Sequence, residues 1–265
     1  LDLQYALDQE NFEKLPEANK ALIRELNEFK QKYSLLNYGG KSFVCWRDSK
    51  DGLVLQHFND FKTFTADRWH DIEATDSKGK TVIRRNYVSK LWLESRDIKR
   101  YENIIFDPKD DSGKFFNLWK GFKVQAIKGD VSLFLKLIDA LTNDQAECSE
   151  YLLNFLSHMV SKPWEKPEVA VVMRGRPGVG KGSLMKALGK IIANYIHLSS
   201  TSSLVGQFSG HLMDSFLVFA DESVWGGDKG AEGRLKALIS EPVLSINAKG
   251  KDEIQVRSYH RLFVA

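Results

Sequence analysis

The chain has 265 residues, of which 43% are hydrophobic, 28% charged and 11% aromatic; this is a globular profile, and at ~100–200 residues per domain it allows one large domain or two modest ones. The longest apolar runs, Val169–Met173 and Phe216–Ala220, are five residues each, which excludes a membrane-spanning helix of ~20 residues. The net charge is +3 but uneven: residues 166–265 carry 13 Lys and Arg against 9 Asp and Glu, and residues 1–165 carry 25 against 26, so a polyanionic partner is favoured for the last hundred residues.

The chain opens without an initiator Met, a basic n-region or an apolar h-region, so no secretory signal is expected. Leu15, Leu22, Ile23, Leu26, Phe29 and Tyr33 recur at three- and four-residue steps and predict a helical linker arm over residues 1–40. Pro16 breaks any single helix that starts earlier, and Gly39-Gly40 closes the segment.

Residues 41–129 predict a small α+β accessory domain. Ser42–Trp46 and Leu53–Phe58 read as strands paired across Asp51-Gly52, and Lys80–Tyr87 reads as another. Aromatics are dense here, including Trp46, Phe58, Phe61, Phe64, Trp69 and Trp92. An aromatic platform for bases is one reading. A small core is the plainer one, because aromatics dominate the buried surface of small cores.

Residues 130–165 predict a helical bundle segment. Asp130 or Ser132 caps a first helix through Leu141, and Tyr151–Val160 marks a second, with His158 beside its apolar stripe as a structural histidine. Pro163 and Pro167 bracket a break, which places the main boundary near 165. Cys45 and Cys148 are too far apart for a C-x-x-C motif and the six histidines are scattered. A zinc site is therefore not expected, and an intracellular, cytoplasmic setting is.

The chemistry concentrates in residues 166–265. Val169–Met173 reads as a strand buried on both faces. It leads into Gly175-Arg176-Pro177-Gly178-Val179-Gly180-Lys181-Gly182-Ser183, and an apolar-striped helix follows. Strand, glycine loop, lysine and helix form the context of a phosphate-binding loop. The glycines let backbone N–H groups turn inward around phosphate oxygens, the helix points its free N–H groups at the same anion, and Lys181 reaches the β- and γ-phosphates. Gly182 stands where such loops usually carry Ser or Thr. Either Ser183 supplies the hydroxyl for Mg²⁺, or the metal is held through water.

A second buried strand, Phe216–Ala220, ends in Asp221-Glu222. That is where open α/β sheets place ligands. Asp221 is expected to orient Mg²⁺ or its waters, and Glu222 to polarise the water that attacks ATP. Trp164, just before the first core strand, reads as a packing or linker residue rather than an adenine stack. Val243–Ile246 and Ile254–Arg257 flank Lys249-Gly250-Lys251, which reads equally as a basic hairpin tip or a solvated turn.

These motifs together resemble the superfamily-three helicases: Gly175–Ser183, Val218–Trp225, Leu235–Pro242 and Lys249–Asp252. They resemble in particular the helicase module of phage and plasmid primase–polymerases. Arg100-Tyr101, Phe106–Pro108, Asn117–Phe122 and Lys162–Pro167 resemble its upstream region, so the likeness covers roughly residues 85–265. It implies an α/β fold, with an AAA+ type P-loop NTPase core over 166–265 after the small α+β region and the helical bundle. It implies a ring, usually of six subunits, that binds ATP and Mg²⁺ and moves along single-stranded or forked DNA without a membrane. Lys181 and Glu222 would be catalytic, Ser183 and Asp221 would hold the metal, and Lys249 and Lys251 would track the DNA backbone.

The family's sensor Asn and arginine finger are not seen before Ala265. Arg234, Arg257 and Arg261 read as surface or structural residues instead. The 265 residues are therefore expected to be a slice of a longer protein. Other readings are a non-catalytic nucleotide-dependent ring or clamp that holds DNA for a polymerase, an origin-melting or loader ATPase, and an RNA track.

Overall fold

The computed structural model describes residues 12–49, 51–75, 79–200, 210–221, 229–246 and 254–265. The chain is a mixed α/β protein that divides into two compact units. Unit 1 is Leu1–Ile104 with Ser112–Phe116, and unit 2 is Ile105–Asp111 with Asn117–Ala265. The division thus falls well before residue 165, the position suggested by the prolines.

Unit 1 runs α1 (Glu17–Lys32), β1 (Ser34–Tyr38), β2 (Lys41–Arg47), β3 (Leu53–Gln56), α2 (Phe58–Phe64), β4 (Trp69–Thr75), β5 (Thr81–Tyr87), α3 (Val88–Glu94) and β6 (Arg100–Tyr101). The sheet order is β3-β2-β1-β6, antiparallel except for the β1–β6 pair. The expected hairpin forms, with β2 and β3 joined through the Asp51-Gly52 turn. The helical linker arm expected over residues 1–40 packs into the core of this unit. Leu22, Ile23, Leu26 and Phe29 of α1 are buried, and residues 34–38 form a strand instead of more helix. A short apolar run fits either period, and here pairing with β2 decides it.

The aromatics of this unit are mainly core. Tyr33 meets Phe61 edge-on at 4.8 Å and Trp46 at 5.3 Å, and Phe61 lies 5.5 Å from Trp92. Strands β4 and β5 form a separate hairpin. Its inner face buries Ile72 and sets His70 against Glu25 of α1 at 2.7 Å.

The connection carries two short strands, β7 (Ile104–Ile105) and β8 (Phe116–Asn117). Unit 2 then runs α4 (Ser132–Leu141), α5 (Ala146–Ser161), β9 (Ala170–Val172), α6 (Lys181–Ile191), β10 (Tyr195–Leu198), β11 (Leu217–Ala220), α7 (Lys229–Ser240), β12 (Val243–Ile246), β13 (Ile254–Arg257) and β14 (Arg261–Val264). The Asp130 side chain accepts hydrogen bonds from the backbone N–H and the hydroxyl of Ser132, which starts α4. The main sheet is parallel throughout, in the order β10-β11-β14-β9.

Strand β11 is buried along its whole length. Strand β9 is not, contrary to its composition. It lies at the sheet edge with β14 as its one neighbour among the described residues, and Val172 is 70% exposed. An edge strand covered on one side leaves alternate side chains in water.

Two buried features hold this unit together. Asn194 is 2% exposed. Its Oδ1 accepts from the backbone N–H of Lys120, and its Nδ2 donates to the carbonyls of Leu118 and Asp214. Trp119 packs edge-on against Phe216 at 4.9 Å. At the amino ends of the strands, Lys166 donates to Leu238 O, Glu241 O and the Ser258 hydroxyl. Ser258 in turn meets His260 Nδ1 at 2.8 Å, and His260 Nε2 meets Leu212 O at 3.0 Å. The carbonyl can only accept, so Nε2 carries a proton.

Gly189 sits inside α6, where glycine is normally unfavourable. The ring of Tyr195 explains it: a Cβ at 189 would lie 2.5 Å from Tyr195 Cδ1. Gly189→Ala is expected to cost ~1–3 kcal/mol, as overpacked cores do. Urea denaturation followed by tryptophan fluorescence checks this, and an unchanged midpoint would refute it.

Candidate functional site

The loop between β9 and α6 is shaped by Gly180. Its φ is +108°, and a Cβ there would meet Leu137 Cδ1 of α4 at 2.7 Å. Glycine is therefore required both for the backbone turn and for the close approach of α4. The helix begins at Lys181, so the unpaired N–H groups of its first turn face the loop.

Residues Gly175, Arg176, Pro177, Gly178, Val179, Gly180, Lys181, Gly182 and Ser183 all line one cleft of about 420 Å³, with Lys186, Asp221 and Ala265. Asp221 comes from the carboxyl end of β11, forty residues beyond Lys181, and the fold brings the two to the same space. Arg176, Lys181 and Lys186 set three cations against this one carboxylate among the described lining residues. The lining therefore carries a net positive charge, which favours anions over cations.

Lys181 Nζ donates to the Gly175 carbonyl at 2.7 Å, so its ammonium is held over the loop. Gly182 has open space where a Cβ would stand. The missing hydroxyl at that position is thus a matter of sequence, not of room. Ser183 lies on the first turn of α6 and lines the cleft itself.

Asp221 is oriented from two sides. Its N–H donates to Leu198 O at 2.9 Å, and His197 Nε2 stands 3.4 Å from its Oδ2. The His197 ring stacks on Phe219 at 4.9 Å. Sequence reading missed His197, Lys186 and Leu137. A weak signal existed for His197: it is the third residue of a strand whose parallel partner at that register is Phe219, two residues before Asp221.

The remaining predicted residues divide into two groups. Glu222, Lys249 and Lys251 lie outside the described residues. Strands β12 and β13, which flank the two lysines, pair antiparallel from Val243↔Arg257 to Ile246↔Ile254. Trp164 does not line the cleft; Lys109 Nζ lies 4.7 Å above its ring. Arg261 is fully buried, and Arg257 reaches Asp107 at 3.9 Å.

Residues 173–265 match a protein family of unknown function, DUF5906. Over a longer stretch the chain is similar to the DNA primase-polymerase of Nitratiruptor phage NrS-1. It is 26% identical over 237 residues, or 80% of this chain and 33% of that protein. It is also similar to a solved apo form of the NrS-1 C-terminal region, with a TM-score of 0.65, 18% identity, and coverage of 92% of this chain and 55% of the other. A second apo structure of that region gives a TM-score of 0.64, with 94% and 57% covered. The chain thus spans about a third of the curated relative. The structural likeness establishes a shared fold across both units. Among the described residues no helix is long and apolar enough to cross a membrane.

Proposed function

We propose that this chain is the ATP-dependent, ring-forming DNA helicase or translocase module of a phage replication protein, working inside the host cell. The observation that carries the reading is the meeting of Asp221 with the Gly175–Ser183 loop in one cleft. A P-loop NTPase of the AAA+ type needs that pairing of a phosphate cradle with a carboxylate at the end of a neighbouring parallel strand.

The residues present fit ATP with Mg²⁺. The loop N–H groups and the start of α6 would take the phosphates, and Lys181 would exchange the Gly175 carbonyl for an anionic oxygen. Ser183 and Asp221 would hold the cation, which supplies charge neutralisation at the phosphates. His197 keeps the Asp221 carboxylate turned to the cleft. Glu222, directly after Asp221, would take the proton of the attacking water. The β12–β13 hairpin would present Lys249 and Lys251 to the DNA backbone in a six-membered ring. The similarity to a phage DNA primase-polymerase supports the replication setting.

Gly182 favours a second reading, because no hydroxyl stands at the usual metal position. There the chain would bind nucleotide and hold DNA as a clamp without hydrolysing ATP. DNA-stimulated ATP hydrolysis separates the two. Wild type is expected to hydrolyse ATP, Lys181→Ala to lose nucleotide binding, and Glu222→Gln to bind ATP but turn it over ~10²–10⁴-fold more slowly. Tight ATP binding with no turnover in wild type would favour the clamp. Equal hydrolysis by all three proteins would refute the proposed site.

A further inference from the structure

We propose that unit 1 carries a single-stranded nucleic-acid site of its own, formed by the groove between α2 and α3 and the outer face of the β4–β5 hairpin. This goes beyond the DNA contact at the β12–β13 tip and uses none of its residues.

The groove has a volume of about 560 Å³, and its lining includes Lys62 near the end of α2 and Tyr87, Ser89, Lys90 and Glu94 along the start and end of α3. Two ammonium groups therefore stand against one carboxylate. Neither Lys62 nor Lys90 makes an ion pair among the described residues. Ser89 is 3% exposed and lines the groove beside Lys90.

Tyr87 joins the groove to the hairpin. It is the cross-strand partner of Trp69, so both residues belong to the outer face, and both are exposed. The Arg85 guanidinium lies 3.6 Å from the centre of the Trp69 ring, and its Nε donates to Asp71 at 3.2 Å. Those contacts hold a flat cation on the same face as two flat rings. The opposite face of the hairpin is committed to the core through Ile72.

The Tyr87 ring and the Trp69–Arg85 stack, beside ammonium groups outside any ion pair, match the two needs of a single strand. Bases stack on aromatic planes and phosphates meet lysines, with little regard to sequence. A duplex keeps its base faces stacked inside, so it can use the lysines but not the rings. An acidic peptide could likewise use only the lysines.

The test is fluorescence anisotropy with the full chain, no nucleotide, and a labelled dT oligonucleotide of about 12 residues. Lys62→Glu/Lys90→Glu is expected to weaken binding at least ~tenfold and to reduce the slope of log affinity against log salt by ~1.4. Trp69→Leu is expected to weaken binding ~tenfold while leaving the salt slope unchanged. Lys181→Ala is expected to bind the oligonucleotide as wild type does, so loss of the nucleotide cleft and loss of this site are read separately. Unchanged affinity in both unit 1 variants would overturn the proposal, as would equal affinity for duplex of the same length. Should a variant unfold, ultraviolet cross-linking of wild type to bromodeoxyuridine oligonucleotide decides the matter. Adducts at Trp69 or Tyr87 support the site, and adducts confined to residues 117–265 overturn it.

Discussion

Arg261→Ala is expected to lower the stability of unit 2 by ~3–5 kcal/mol, the range for removing one member of a buried charged network. The side chain is fully buried, yet it forms no salt bridge among the described residues. Its Nη1 donates to Tyr259 O at 2.6 Å, and its Nη2 donates to the carbonyls of Lys162 and Glu165. The guanidinium also lies 4.9 Å from the centre of the Phe216 ring. One side chain thus ties the segment entering β9 to the first turn of β14. Burial pushes its pKa down to about 10, well short of neutralising it at physiological pH.

Alanine would remove the guanidinium's bonds to the Tyr259 and Glu165 carbonyls, leave Lys162 O with the Glu165 N–H alone, and open a void beside Phe216. Both losses add. Arg261→Lys retains the charge but not the planar fork, so it should recover only part of the loss. Urea unfolding monitored by fluorescence checks the order wild type, Lys, Ala. A loss below ~1 kcal/mol in the alanine variant would show that water replaces these bonds, a result this burial does not allow.

The second large effect is acid sensitivity centred on His260. Burial pushes its pKa from 6.5 down to about 4; the Leu212 carbonyl pulls the other way, and the Lys166 and Arg261 cations add to the depression. The unfolded chain takes up a proton near 6.5, and the folded chain does not until near 4. Between those values the unfolded state binds more protons, so stability falls as pH falls. It is complete above about 6.5, and by pH 4 it has dropped by about 3 kcal/mol. His260→Gln cannot take up that proton and should flatten this part of the profile, even if its stability at pH 7 is lower. Thermal melts of both proteins from pH 7.5 to 4 check the difference in slope. Parallel profiles would show that His260 does not carry the acid transition.

The residues of the cleft differ in how legible they were. The Gly175–Ser183 loop is local: glycines, lysine and helix follow one another along the chain, and short-range backbone requirements select them. Asp221 was legible because a five-residue apolar run announces a buried strand and its end. His197 and Leu137 were not, because their places depend on the parallel register of β10 with β11 and on the docking of α4. Neither leaves a periodic trace.

The same physics separates Val169–Met173 from Phe216–Ala220. The two runs are equally apolar, but strand order puts one at an edge and the other inside. The half-buried Lys166 and the buried His260 and Arg261 escaped for a different reason. Their partners are mostly backbone carbonyls, which every residue has, so side-chain chemistry alone does not reveal the match. In unit 1, Ser34–Tyr38 continued the spacing of α1 closely enough to pass for helix.

Asn194 has an evolutionary consequence. Its amide holds the 117–120 segment and the chain before β11 with three hydrogen bonds, as a short strand would. A fragment of residues 166–265 would therefore leave Asn194 without its partners at Leu118 and Lys120. A recombination point between 122 and 166 would pair Asn194 with a foreign segment and strip Trp119 from Phe216. The physical unit that carries the cleft thus reaches back to Asn117, far upstream of the first residue of the loop it serves.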